Sequence, residues 1–195
     1  YGVSLGGILG AVTLAQTDRV DHAVLHVGGG AWSMTFPRSA NWEDFEGLVE
    51  NGIPSSADRQ LLYAMMQLYW DPVDSMSYVQ ELEDRSVLLQ MSVNDDEVTN
   101  MGTIMLAESA GWSSLGGAVA GMPLGQAPTV GPVIASYDAE LGDPDIGNQP
   151  SERTGAHREP RKWESAKLQT LHFLVDVPGQ VQGYCQEAVC TPADG

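Results

Sequence analysis

The sequence predicts an α/β fold in which helices flank a mainly parallel sheet. Three short apolar runs, residues 22–27, 86–93 and 133–137, are rich in Val, Leu or Ile and end in glycines or polar turns. Apolar runs of this length are typical of parallel strands that helices cover on both faces. Helical patterns separate the runs, and this alternation indicates a mainly parallel sheet.

The segments around the strands carry helical patterns. A small-residue helix over residues 8–15 follows a glycine-rich turn at residues 2–7, and another helix covers about residues 100–110. A Gly/Pro-rich loop occupies residues 111–132. The last helix begins near Pro160, a residue suited to a first helical turn. Its expected buried face consists of Trp163, Leu168, Leu171 and Val175.

Residues 31–84 predict a helical insertion or lid. Within it, residues 58–70 carry so many Leu, Met, Tyr and Trp side chains that little polar surface remains. An ordinary buried helix explains this pattern equally well, since Met and aromatic residues at helical spacing usually belong to a core. We expect residues 1–195 to form a single domain that ends in a tail over about residues 177–195, because 195 residues suit one compact unit.

The charge of the chain argues against a nucleic-acid partner. The formal net charge is −17, with only nine Lys and Arg residues, so a polyanion is repelled over most of the surface. Five of these basic residues lie between residues 153 and 167, where a solvated helix start explains them. No apolar stretch is long enough to predict a transmembrane segment.

The cysteines predict a small disulfide loop. Cys185 and Cys190 are the only two, and they lie in a polar stretch near the end of the sequence. A zinc site needs more ligands than this pair offers, whereas two nearby cysteines suit a disulfide. The disulfide favours a secreted or periplasmic protein.

A candidate nucleophile lies at the front of the sequence, where Gly2-Val3-Ser4-Leu5-Gly6 matches the pattern G-x-S-x-G. A strand that turns abruptly into a helix forces the serine into a strained conformation, and flanking glycines keep the neighbouring chain clear. The turn presents Ser4 Oγ at the sheet edge. It also places the Leu5 amide, at a helix N-terminus, where negative charge develops on a reacting carbonyl.

A serine hydroxyl is a weak nucleophile and needs a base, which an acid in turn orients. Two carboxylates, Asp95 and Asp96, directly follow a predicted strand, in a turn that a solvated acidic loop also explains. The histidines available as the base are His22, His26, His157 and His172.

The motif, together with a later carboxylate and a still later histidine, resembles the α/β-hydrolase superfamily of serine hydrolases. The resemblance implies Ser4 as the nucleophile, Asp95 as the acid and His157 as the base. Asp95 fits the family's acid turn because Val98 follows three residues later, a spacing that Asp96 would break. His157 lies in the loop before the last helix, where the family places its base. Of the other histidines, two precede the acid and one lies within that helix.

The resemblance covers only the second half of the family's fold, from the nucleophile turn onward. A complete member has several strands before this turn and a loop that supplies a second oxyanion amide. The glycines at residues 28–30 do not match that loop, because they follow the nucleophile; we expect them to end a strand and make room near the site. We also expect a second polypeptide, from cleavage or a split gene, to carry the N-terminal half, with an incomplete chain as the alternative.

The activity that the resemblance implies is that of an esterase or lipase acting through an acyl-enzyme, with the Leu5 N–H binding the oxyanion. A peptidase or acyltransferase uses the same triad, and a non-catalytic binding module would have one triad member misplaced. No cofactor is implied, and no substrate-binding residue is predicted. Acidic residues after the third strand are of the type that calcium prefers, although a solvated loop explains them more simply. They are Asp138, Glu140, Asp143 and Asp145.

Overall fold

The computed structural model describes residues 1–119, 121–122, 124–125, 129–142 and 151–195. The strands are β1 (Gly2–Val3), β2 (His22–His26), β3 (Ser86–Ser92), β4 (Ser113–Leu115), β5 (Leu124–Gly125), β6 (Thr129–Val130), β7 (Val133–Tyr137), β8 (Gln180–Val181) and β9 (Val189–Cys190). The α-helices are α1 (Leu5–Ala15), α2 (Trp32–Thr35), α3 (Glu43–Gly52), α4 (Ser56–Trp70), α5 (Val79–Leu82), α6 (Asn100–Ser109) and α7 (Glu164–Leu171). A π-helix, His172–Asp176, continues α7.

The main sheet is parallel throughout, in the order β1-β2-β3-β7-β4-β5. β4 pairs with the first half of β7, and β9 pairs with its second half. β6 and β8 form a separate antiparallel pair. The predicted α/β class, with helices flanking a mostly parallel sheet, is confirmed.

Both faces of the sheet are buried because successive side chains of each strand point to opposite sides. On one face, Leu25 of β2 and Leu89 of β3 pack in a cluster with Leu14 of α1 and Leu106 of α6. On the other face, Leu88 of β3 and other side chains meet the region of α7. This second cluster contains Val24, Leu88, Val133, Ala135, Tyr137, Trp163, Ala166 and Phe173.

The region between β2 and β3 is helical, as the sequence predicts, and contains α2 to α5 with short 3₁₀ turns between them. The predicted helix over residues 58–70 is α4. Its apolar side chains are largely exposed, with Leu68 at 72% and Tyr69 at 84% of their full accessibility. In α4 only Tyr63 is buried, so the alternative of an ordinary buried helix is wrong.

Two sequence expectations about the later part of the chain are also wrong. The expected loop over residues 111–132 contains β4, which pairs with β7. The last helix does not bury the expected apolar face: Trp163 is buried, but Leu168, Leu171 and Val175 are exposed. The residues that α7 buries are Ser165, Ala166 and Gln169.

The tail contains the expected disulfide. Cys185 and Cys190 are bonded, with their Cα atoms 5.1 Å apart. Cys190 is buried in β9, so the disulfide attaches a short surface loop to the sheet. Within the described ranges, no helix has both the length and the apolar character that crossing a membrane requires.

A buried polar network connects the sheet to α7 and explains why this helix buries polar groups. The Gln90 amide nitrogen lies 3.0 Å from the Ala166 carbonyl oxygen and 3.1 Å from Gln169 Oε1, while the Tyr137 hydroxyl donates to the same Gln169 oxygen at 2.7 Å. Gln90 Oε1 therefore faces His26 Nδ1, at 2.8 Å. Since an amide oxygen only accepts, His26 Nδ1 carries the proton that it donates.

The His26 side chain makes the stability of this network dependent on pH. Burial lowers its pKa from the ordinary 6.5 to about 4, although the hydrogen bond to Gln90 opposes the shift. The unfolded chain takes up a proton at His26 below pH 6.5, whereas the folded chain does so only near pH 4. His26 therefore stabilises the fold fully above pH 6.5, and this stabilisation is lost as the pH falls towards 4.

We expect wild type to lose about 3 kcal/mol of unfolding free energy from His26 over this pH interval. The variant His26→Gln lacks the titrating group, so it should lose less stability over the same interval despite a lower value at pH 7. Urea denaturation followed by circular dichroism at pH 7, 5.5 and 4.5 measures both proteins. Equal losses in the two proteins would contradict the assignment.

Candidate active site

Ser4 occupies the sharp turn between β1 and α1. Its backbone has φ 57° and ψ −121°, a conformation that a non-glycine residue adopts only under strain. The Ser4 N–H donates to the His26 carbonyl oxygen at 2.9 Å, and the Ser4 carbonyl oxygen accepts from Gly7 N at 2.7 Å and Ile8 N at 3.1 Å. These bonds to β2 and to the first turn of α1 hold the strained residue in place.

Glycines make the turn sterically possible. A Cβ on Gly2 would lie 2.1 Å from the Gly6 carbonyl oxygen, which is far inside van der Waals contact. Gly7 and Gly28 pack backbone to backbone, since a Cβ on Gly7 would lie 2.9 Å from Gly28 Cα. Gly28, the first of the three glycines after β2, therefore makes room for the start of α1.

The structure brings the side chains of Ser4, His157 and Asp95 together. Ser4 Oγ lies 2.8 Å from His157 Nε2, and His157 Nδ1 lies 2.8 Å from both carboxylate oxygens of Asp95. His157 lies in a 3₁₀ turn, Ala156–Arg158, and its side chain is buried, as is that of Asp95. Since a carboxylate accepts, Nδ1 carries the proton and Nε2 presents its lone pair to the Ser4 hydroxyl.

The turn after β3 fixes the Asp95 carboxylate. Oδ1 accepts from the backbone N–H groups of Glu97 at 2.9 Å and Val98 at 2.8 Å. The turn begins at Asn94, whose φ of 56° is left-handed and whose N–H donates to Asn100 Oδ1 at 2.7 Å. Burial raises the pKa of Asp95, and the hydrogen bonds from His157, Val98 and Glu97 oppose that shift.

Asp96 has a different task from its neighbour. Its Oδ1 accepts from the backbone N–H of His157 at 2.9 Å, and its Oδ2 accepts from Thr154 N at 3.0 Å and Gly155 N at 3.1 Å. Burial acts to raise the pKa of Asp96, but these backbone donors together lower it below its ordinary value. Asp96 thus holds the loop that presents His157, a role that the sequence analysis missed. The sequence alone does not show which of two adjacent aspartates contacts the imidazole and which holds the loop.

The helical region between β2 and β3 supports the acid turn from outside. The Ala40 N–H donates to the Asp96 carbonyl oxygen at 2.7 Å, and the Ser39 hydroxyl donates to the Glu97 carbonyl oxygen at 2.7 Å. Glu97 was not predicted as a site residue either. Its carboxylate lies beside the imidazole, with Oε2 3.8 Å from His157 Nε2.

The Leu5 amide begins α1, directly after Ser4. Among the described residues no protein group accepts a hydrogen bond from it. A free N–H at the N-terminus of an 11-residue helix attracts negative charge, because the helix dipole adds to the donor. The position therefore suits an oxyanion, although no second donor is assigned.

The other histidines do not reach Ser4 Oγ. His26 belongs to the Gln90 network, His22 makes an edge-on contact with Phe173, and His172 lies against Tyr184.

The expected acidic calcium ligands are only partly visible, since Asp143 and Asp145 lie outside the described residues. Asp138 Oδ1 accepts from the Glu140 N–H at 2.8 Å in a local turn. In the part of the chain that the structure describes, no group of three His, Cys, Asp or Glu side chains could hold a metal ion.

A pair of glycine variants tests the steric account of the turn. Gly2→Ala should reduce the unfolding free energy by about 2 kcal/mol or more, because its Cβ meets the Gly6 carbonyl oxygen. Gly6→Ala is the matched control: no atom lies within 4 Å of its Cβ, and alanine in a helix should add about 0.5–1 kcal/mol. Urea denaturation measures both, and equal effects would refute the account.

Asp96→Asn tests the support of the histidine loop. The amide nitrogen cannot accept from Thr154 N and Gly155 N, so we expect a loss of about 1–3 kcal/mol of stability at pH 7. The pKa of Asp96 in the folded protein is lower than its ordinary value of 3.8. Ionised Asp96 therefore stabilises wild type fully above pH 3.8, and this stabilisation is lost as the pH falls through the folded pKa. The difference from the variant should therefore shrink below pH 4. Asp18→Asn removes an exposed carboxylate that pairs with Arg85 and should change stability by less than about 1 kcal/mol. A constant difference down to pH 2 would contradict this role.

Comparisons with known proteins found no relative of this chain. No protein-family model matches the chain, and no curated protein or solved structure is detectably similar to it. The arrangement of Ser4, His157 and Asp95 is therefore the main observation that bears on the function.

Proposed function

We propose that this chain carries the active centre of a serine hydrolase of the α/β-hydrolase type, which cleaves carboxylic esters through an acyl-enzyme. The observation that carries the proposal is the chain of 2.8 Å contacts from Ser4 Oγ through His157 to Asp95. The strained conformation of Ser4 between a strand and a helix also supports it, because that geometry exposes a nucleophilic hydroxyl.

The proposed reaction uses each of these groups once. Ser4 Oγ attacks the ester carbonyl carbon while its proton passes to His157 Nε2, and Asp95 stabilises the resulting imidazolium. The negative charge on the carbonyl oxygen is stabilised by the Leu5 N–H, a type of contact worth about 10²–10³ in rate. When the C–O bond breaks, Nε2 returns the proton to the leaving alcohol. Water then attacks the acyl-enzyme with His157 as base and regenerates Ser4.

Ester cleavage is preferred to the other readings for two reasons. The intact 2.8 Å contacts argue against a binding module, which would have a misplaced triad member. Exposed apolar side chains on α4 offer a surface for an apolar acyl chain, and they are Leu61, Met65 and Leu68. Peptidase and acyltransferase activities use the same side chains and are outcomes of a substrate screen.

The Cys185–Cys190 disulfide supports a place outside the cytoplasm. The expected second polypeptide stays a prediction.

The test combines covalent labelling with turnover. A fluorophosphonate probe should label wild type at Ser4, and p-nitrophenyl esters of graded acyl length should be hydrolysed. Ser4→Ala should abolish labelling and reduce kcat by at least about 10⁴-fold, because the nucleophile is lost. Asp95→Asn and His157→Gln should also lower kcat severely.

Ser77→Ala, at an exposed serine that makes no hydrogen bond to a triad residue, is the control and should retain labelling and turnover. Labelling or hydrolysis that persists in Ser4→Ala, or a wild type that reacts with neither reagent, would sink the proposal.

A further inference from the structure

The Glu97 carboxylate lies next to the nitrogen that hands a proton to the leaving group. Its Oε2 lies 3.8 Å from His157 Nε2, while its Oε1 binds the Arg158 guanidinium at 3.0 and 3.1 Å. In the described ranges no donor hydrogen-bonds to Oε2. One carboxylate oxygen therefore remains available beside the reacting atoms.

The backbone fixes this carboxylate in position. The Glu97 N–H donates to Asp95 Oδ1 at 2.9 Å, and the Glu97 carbonyl oxygen accepts from the Ser39 hydroxyl at 2.7 Å. The side chain itself is only 15% exposed. The turn that holds Asp95 therefore also positions the Glu97 backbone, while burial and the Arg158 ion pair hold the carboxylate beside the imidazole.

The neighbouring charges leave Glu97 as the acidic group that faces a leaving group. The Asp95 carboxylate is engaged by His157, and the Asp96 carboxylate is engaged by backbone N–H groups. The side chain of Arg158 is 65% exposed and binds only Oε1, so solvent screens much of its charge. The Arg161 guanidinium lies on the backbone side of His157, where its Nη2 donates to the His157 carbonyl oxygen at 3.1 Å.

We propose that Glu97 is a specificity-determining residue that favours esters whose alcohol carries a positive charge, such as amino-alcohol esters. The inference rests on the proposed esterase function. During acyl transfer the ester oxygen must come within hydrogen-bonding distance of His157 Nε2 to receive its proton. An ammonium group two or three bonds from that oxygen then lies close to Glu97 Oε2, where opposite charges attract.

The test compares two thioesters of the same shape that differ by one charge: butyrylthiocholine and its uncharged 3,3-dimethylbutyl isostere. Released thiol gives kcat/KM for each, and the ratio of the charged to the uncharged substrate is the readout. Wild type should favour the charged thioester. In Glu97→Gln the ratio should fall about two- to fivefold, the range that an exposed ion pair contributes.

In Arg158→Gln the Glu97 carboxylate loses its ion pair, so the ratio of charged to uncharged substrate should rise, opposite to its fall in Glu97→Gln. A merely structural role would move both variants in the same direction. Glu97→Asp should keep most of the preference. Glu159→Gln is the matched control, since Glu159 pairs with Lys162 and not with His157, and its ratio should equal that of wild type. Added salt should weaken the preference more in wild type than in Glu97→Gln.

The outcomes separate the two proposals. If Ser4-dependent hydrolysis of the uncharged thioester occurs but Glu97→Gln leaves the ratio unchanged, the role of Glu97 is refuted while the esterase proposal stands. If neither thioester is cleaved and Ser4 is not labelled, both proposals fall.

Discussion

The contact between the Ser4 hydroxyl and the His157 imidazole joins residues that lie 153 positions apart in the sequence. It exists because β1, β3 and β7 run in parallel and therefore end at one edge of the sheet. Ser4 follows β1, Asp95 follows β3, and the segment that carries His157 follows β7. Asp96 completes the arrangement, because its bonds to the backbone of residues 154–157 bring the returning loop against the acid turn.

This convergence requires strained backbone at the ends of the strands. Ser4 and Asn94 both have positive φ, and each such residue typically costs about 1–3 kcal/mol. Neighbouring groups hold these residues in the strained conformation. Gly2 permits the close approach of Gly6 beside Ser4, and the Asn100 side chain accepts a hydrogen bond from the backbone of Asn94. The site therefore depends on residues that touch no reacting atom.

The strands of the sheet were predictable where a continuous apolar run marks them in the sequence. The apolar runs predicted β2, β3 and β7 almost to the residue, because strands buried on both faces need continuous apolar sequence. β4 and β9 were missed, since segments of two or three residues acquire strand structure only by pairing with β7. The face of α7 was also predicted wrongly. Its inward side meets Gln90 and Tyr137, so it buries polar groups that hydropathy assigns to the surface.

The candidate site shows the same limit at the level of single side chains. A five-residue motif singled out Ser4, and the resemblance to the α/β-hydrolases singled out Asp95 and His157. The different contacts of Asp95, Asp96 and Glu97 depend instead on the left-handed turn at Asn94, after which the three carboxylates point in three directions. One meets the imidazole, one binds the histidine loop, and one lies beside the reactive nitrogen. In sequence these residues are a single acidic run, and only the fold gives each charge a separate partner.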